Sequence, residues 1–136
     1  MSTFDWYQAL KKPSWAPPAS AFGIAWSIIY PIIFVTFGWV FLQAFRREIS
    51  WMVALPFALN LAFNLAFTPI QFGLRNNWLA LADIVAVLAT LIWAVIAVWP
   101  SARWVALAQI PYLAWGTFAT ALQISITFLN RSNPTA

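Results

Sequence analysis

The chain has 136 residues, 63% of them hydrophobic and only 7% charged, which leaves no length for a separate soluble domain beside several membrane spans. It contains no cysteine and no histidine, so a disulfide framework, a thiolate metal site and the usual zinc or haem ligands are excluded. Its net charge of +4 is spread singly or in pairs at the ends of apolar runs rather than gathered on one face, which argues against nucleic acid as a partner.

Residues 1–20 are turn-rich. Trp6, Tyr7 and Trp15 suit a membrane interface, and Pro13, Pro17 and Pro18 block a continuous helix. This segment is expected to form an interfacial flap. Four apolar runs follow, at residues 21–45, 51–73, 78–99 and 104–129, each long enough for a helix of about 20 residues to cross a hydrocarbon core of about 30 Å. The first follows Lys11 and Lys12 as a secretory signal would, but it is too long and lacks a small-residue cleavage site, so it is expected to stay as a span. The runs are apolar on most faces and twice the length of a barrel strand, which excludes a transmembrane β-barrel. The breaks at residues 46–50, 74–77 and 100–103 are short and make consecutive helices antiparallel neighbours. The predicted fold is all-α, a single up-down-up-down bundle of four transmembrane helices with a polar tail at residues 130–136. Lys11, Lys12, Arg75 and Arg131 fall on one side, against Arg46, Arg47 and Arg103 with Glu48 on the other, a bias that places the termini on the cytoplasmic side.

Within the spans, polar residues are few and patterned. In the second, Asn60, Asn64, Phe67 and Gln71 recur at helical spacing and stack three amides and a ring on one face. Lipid cannot satisfy amides, so this stripe must face the interior, as interhelical glue or as ligand contact. In the fourth, Gly116, Thr120, Gln123 and Thr127 form a small and polar face suited to close packing, and Trp115, Ala119, Leu122 and Ile126 form its neighbour. In the first, Trp26, Tyr30, Ile33 and Phe37 share a face, with Gly23 and Ser27 beside them leaving room for another helix. Trp51, Trp78, Trp99 and Trp104 lie at span ends, where an amphipathic indole belongs; Trp26 and Trp115 are the candidates for an aromatic-walled interior pocket that would hold a planar, largely apolar ligand. Asp83 is the one acid inside a span, about a turn from its start, where it orders the helices or serves a proton or cation.

Three stretches together resemble the TspO/translocator-protein family. They are Trp6 to Pro18 with Phe22-Gly23 and Trp26 to Tyr30; Asn60 and Asn64 leading through Pro69, Phe72-Gly73 and Arg75 to Trp78-Leu79-Ala80-Leu81-Ala82-Asp83; and Pro111-Tyr112-Leu113-Ala114-Trp115 with Phe118-Ala119-Thr120 and Leu129-Asn130. The resemblance implies a membrane homodimer whose bundle holds tetrapyrroles such as protoporphyrin IX, with no cofactor or metal required. It carries the family's ligand contacts onto Tyr7, Trp26, Asn64, Trp115 and Ala119, and leaves Asn60, Asp83 and Gln123 as structural polar residues. Bacterial relatives are linked to light-dependent porphyrin breakdown, which here would involve Trp26 and Trp115 without an acid and base pair. Relatives have five spans, the first lying before the Trp-Tyr motif with which this sequence begins, so the family's first helix is expected to be lacking. Phe67 stands where many relatives have Trp and Gln123 where many have Asn, and no sterol motif appears near Arg131. The expected function is therefore tetrapyrrole binding in sensing, transport or photo-oxidative disposal. The rival expectations are a small proton-coupled multidrug exporter that uses Asp83, and a non-catalytic membrane assembly subunit.

Overall fold

In the computed structural model, which describes residues 19–68, 70 and 76–130, the chain runs through five helices: α1 (Ala19–Phe45), α2 (Trp51–Thr68), α3 (Asn77–Val98), α4 (Arg103–Ala108) and α5 (Ile110–Leu129). The expected flap, including Tyr7, and the end of the second span, including Gln71, lie outside the described residues. Three of the helices are long and apolar enough to cross a membrane: Ser20–Phe45, Asn77–Val98 and Ile110–Leu129. The apolar stretch Trp51–Phe67 in α2 is shorter.

The turns between helices are built from local hydrogen bonds. Arg47 adopts a left-handed backbone, φ 60°, just past the end of α1, and the Glu48 N–H returns to the Gln43 carbonyl at 2.9 Å. This closes the helix end where its last carbonyls lack partners. Ser50 opens α2 by accepting the Met52 N–H on its hydroxyl at 3.1 Å, and Asn76 opens α3 by accepting the Leu79 N–H at 3.0 Å.

Side-chain contacts fix the register of a four-sided bundle of α1, α2, α3 and α5, whose neighbours run antiparallel. On α1 and α2, Phe37 packs edge-on against Phe57 with centroids 4.9 Å apart, and Tyr30 reaches Asn64. Between α2 and α3, the most extensive pairing, Asn60 reaches Val87 and Thr90. Where α3 meets α5, Gln123 and Thr127 both donate to the Asn77 carbonyl, and a Cβ at Gly116 would lie 3.6 Å from Leu88 Cδ1, so the glycine permits ordinary close contact. Ile29, Ile33, Phe37, Phe57, Val87 and Leu91 lie in the buried core. Outward residues such as Phe34, 83% exposed, are apolar, the arrangement expected when lipid is the solvent. The all-α membrane bundle read from the sequence is thus the fold of the chain.

Three details differ from expectation. The fourth apolar run is not one helix: it breaks at Gln109, whose backbone N–H bonds to Ala106 rather than continuing the α pattern, two residues before Pro111, which has no N–H to give. The freed Val105 carbonyl is met by the Gln109 side chain at 3.1 Å, and the same amide donates to Thr36 Oγ1 on α1 at 2.9 Å. Asn130, assigned to the polar tail, is instead a buried helix cap that bonds to the Ile126 carbonyl at 2.8 Å. No described helix covers Gly23 or Ser27; both are exposed, and the serine hydroxyl turns back to Ile24 at 2.7 Å.

Candidate functional site

The polar stripe of α2 enters a hydrogen-bond chain that joins four helices. Tyr30 on α1 donates to Asn64 Oδ1 at 3.1 Å, Asn64 Nδ2 donates to the Tyr112 hydroxyl at 2.8 Å, and Tyr112 donates to Asn60 Oδ1 at 2.8 Å. Asn60 Nδ2 ends the chain on α3, at the Val87 carbonyl at 2.8 Å and Thr90 Oγ1 at 3.2 Å. Each link satisfies a group that lipid could not, and an interhelical bond of this kind contributes about 0.6 kcal/mol on average and up to about 1.7. Tyr112 is the hub: only 1% exposed, it accepts from one asparagine and donates to the other.

The sequence reading singled out Asn60 and Asn64 and passed over Tyr112. The signal was present in its spacing, three residues before Trp115 and seven before Ala119, since a tyrosine inside a span needs a partner for its hydroxyl. Gln109 was passed over too, because a single glutamine in an apolar run gives no sign of a helix break.

An aromatic cluster adjoins this chain. Trp26 stacks on Tyr30 with centroids 5.0 Å apart and 24° between planes, and meets Tyr112 and Trp115 edge-on at 6.3 and 6.4 Å. Trp115 in turn touches Phe22 and Phe118, both at 5.4 Å. The structure therefore brings Trp26, Asn64 and Trp115 to one locality, through Tyr30 and Tyr112. Their geometry is specific. The two indoles lie at 82° to each other and in contact, so they form a corner rather than a parallel slot, and one face of Trp26 is already covered by Tyr30. A flat molecule would meet one indole face-on and the other at its edge.

That edge carries an unmet demand. Trp115 Nε1 is buried without a hydrogen-bond partner, a state that costs about 1–3 kcal/mol until an acceptor arrives. Asp83 Oδ2 is in the same condition. Ala119, one turn beyond Trp115, is half-buried against the core. Gln123 lies further along α5 and spends its amide on Asn77 and Thr127 at 3.3 and 3.1 Å, tying α5 to the start of α3 rather than facing the aromatic corner.

Two recesses flank the corner. A groove of about 300 Å³ between α1 and α5 is lined by Ala25, Ile28, Ile29, Pro111, Ala114 and Trp115. A wider, shallow one of about 960 Å³ runs along the outer side of α1, past Tyr30, Phe34, Trp39, Leu61 and Trp104. Three of the span-end tryptophans line neither recess: Trp51 and Trp78 are exposed and pack edgewise on Phe45 and Phe128, and Trp99 carries the Arg103 guanidinium over its ring at 5.4 Å, whereas Trp104 lines the wider one. Among the described residues no cluster of acids suited to a metal ion is present.

Comparison with known proteins shows the family. The model of the TspO/MBR family matches residues 1–129. The tryptophan-rich protein TspO of Bacillus cereus is 32% identical over 126 residues, 92% of this chain and 80% of the relative. Protein CrtK of Rhodobacter capsulatus is 37% identical over 127 residues, 92% and 78% respectively, and the translocator protein of Homo sapiens is 32% identical over 128 residues, 89% and 72%. With matched residues running from the first position through the last helix, the chain belongs to the TspO/MBR family of membrane proteins.

Proposed function

We propose that the protein binds a tetrapyrrole, protoporphyrin IX or a close relative, at the aromatic corner, as a homodimer in the membrane, and serves its sensing, transport or light-driven disposal. The observation that carries this reading is the perpendicular contact of Trp26 and Trp115 beside a polar chain that includes the Tyr30 and Tyr112 hydroxyls. A macrocycle is large, flat and mostly apolar, so it gains most from lying against a broad ring face, while a few polar groups fix its orientation. Phe118, tilted by 34° to Trp115, extends the wall. Asn64 orients the ligand by exchanging its longer bond, the one from Tyr30, for a bond to the ligand. The family resemblance adds Tyr7, outside the described residues, to the ligand contacts. A metal-free macrocycle asks for no axial ligand, in keeping with a sequence that has neither histidine nor cysteine.

The test is a titration of the purified protein with protoporphyrin IX. Tryptophan fluorescence is expected to be quenched to saturation, and Trp115→Ala to weaken binding several-fold, since it removes both the ring face and the free N–H. An unchanged titration in that variant would place the ligand elsewhere.

A further inference from the structure

Asp83 stands at the same site, outside the hydrogen-bond chain. It lies one turn before Val87 on the buried stripe of α3, and Asn64 lies one turn after Asn60 on α2. Because Asn60 meets Val87 and the two helices run antiparallel, Asp83 is level with Asn64. On α5, Gly116 is beside Leu88 and Thr127 beside Asn77, which puts Asp83 level with Ala121, beside Thr120. None of these neighbours answers the carboxylate. Asn64 bonds to Tyr30 and Tyr112, and the Thr120 hydroxyl donates to the Gly116 carbonyl at 2.7 Å. Asp83 is only 7% exposed, yet its Oδ2 has no partner.

No described cation compensates it either. Arg46, Arg47 and Arg103 belong to the turns at the far end of the bundle, and the 15 residues of α3 from Asp83 to Val98 alone span about 22 Å. One turn from Ala119, the Trp115 Nε1 is a buried donor equally without a partner. The acceptor on α3 and the donor on α5 are thus both unmet.

Building on the tetrapyrrole reading, we infer that Asp83 sets the polarity of the bound ligand: its charge turns the ligand's carboxylate edge away from α3, toward the Trp115 indole N–H. Two like charges in an unscreened interior repel strongly, whereas an indole N–H facing a carboxylate makes a charge-assisted bond. Asp83 is then a specificity-determining residue that holds a charged-edge macrocycle in one orientation.

The test compares protoporphyrin IX with its dimethyl ester, which keeps the ring and the pyrrolic N–H groups but carries no charged edge. Binding of both is measured by tryptophan quenching in the wild type, Asp83→Asn and Asp83→Glu. The ratio of acid to ester affinity is expected to rise several-fold in Asp83→Asn and to stay at the wild-type value in Asp83→Glu. A ratio is independent of the fraction of folded protein, and Asp83→Ser supplies a second neutral variant should the asparagine form fail to fold. If both porphyrins bind and the ratio is the same in the neutral variants as in the wild type, Asp83 does not sense the ligand's charge and the inference is overturned. If the wild type binds neither porphyrin, the tetrapyrrole reading itself falls and takes this inference with it.

Discussion

Tyr112 joins the two asparagines of α2 through one hydroxyl, so its removal tests the polar chain at its centre. Tyr112→Phe keeps the ring and its packing but leaves Asn60 Oδ1 without its donor and Asn64 Nδ2 without its acceptor. A loss of about 1–2 kcal/mol is expected, the sum of two interhelical bonds within the measured range. Thermal unfolding in detergent should show a lower midpoint than the wild type, and an unchanged midpoint would mean that water takes over both bonds. Gln109→Leu makes the contrast. It gives up the bonds to Thr36 and Val105 but also removes an Oε1 that is buried without a partner, so gain and loss offset and a change below about 1 kcal/mol is expected in the same assay. At this scale the sequence was only half legible. Asn60 and Asn64 announced themselves because amides cannot face lipid, whereas the Tyr112 hydroxyl needs a partner that only the register of α2 against α5 identifies.

Among the elements, the α3–α5 contact packs a leucine of α3 against a glycine of α5. A methyl group at Gly116 would sit 3.6 Å from Leu88 Cδ1, an ordinary contact distance. Gly116→Ala is therefore expected to be neutral, or to stabilise the helix by up to about 1 kcal/mol through its higher propensity. Gly116→Leu would overpack the interface and cost about 1–3 kcal/mol. Unfolding midpoints of the two variants check both, and a tolerated leucine would mean that α5 stands off from α3. Helix existence was readable from the length of the apolar runs, since hydropathy alone decides what must sit in lipid. The break between α4 and α5 was not, because Pro111 in an apolar run marks a helix start as well as it marks a kink, and only the Gln109 side chain satisfying Val105 resolves which.

For the whole molecule, the bundle places its few polar groups in one interior and turns its broad apolar surface outward, so the hydrogen-bond chain and the aromatic corner share a single locality between α1, α2, α3 and α5. Family membership and this convergence make pigment binding the account's central claim. Its most direct measurement is the absorbance spectrum of the protein purified from cells that accumulate porphyrin. A Soret band is expected to travel with the wild-type protein through purification and to be strongly diminished in Trp115→Ala prepared in parallel. A wild-type protein that emerges colourless, and whose spectrum and tryptophan emission stay unaltered when protoporphyrin IX is added, would contradict it.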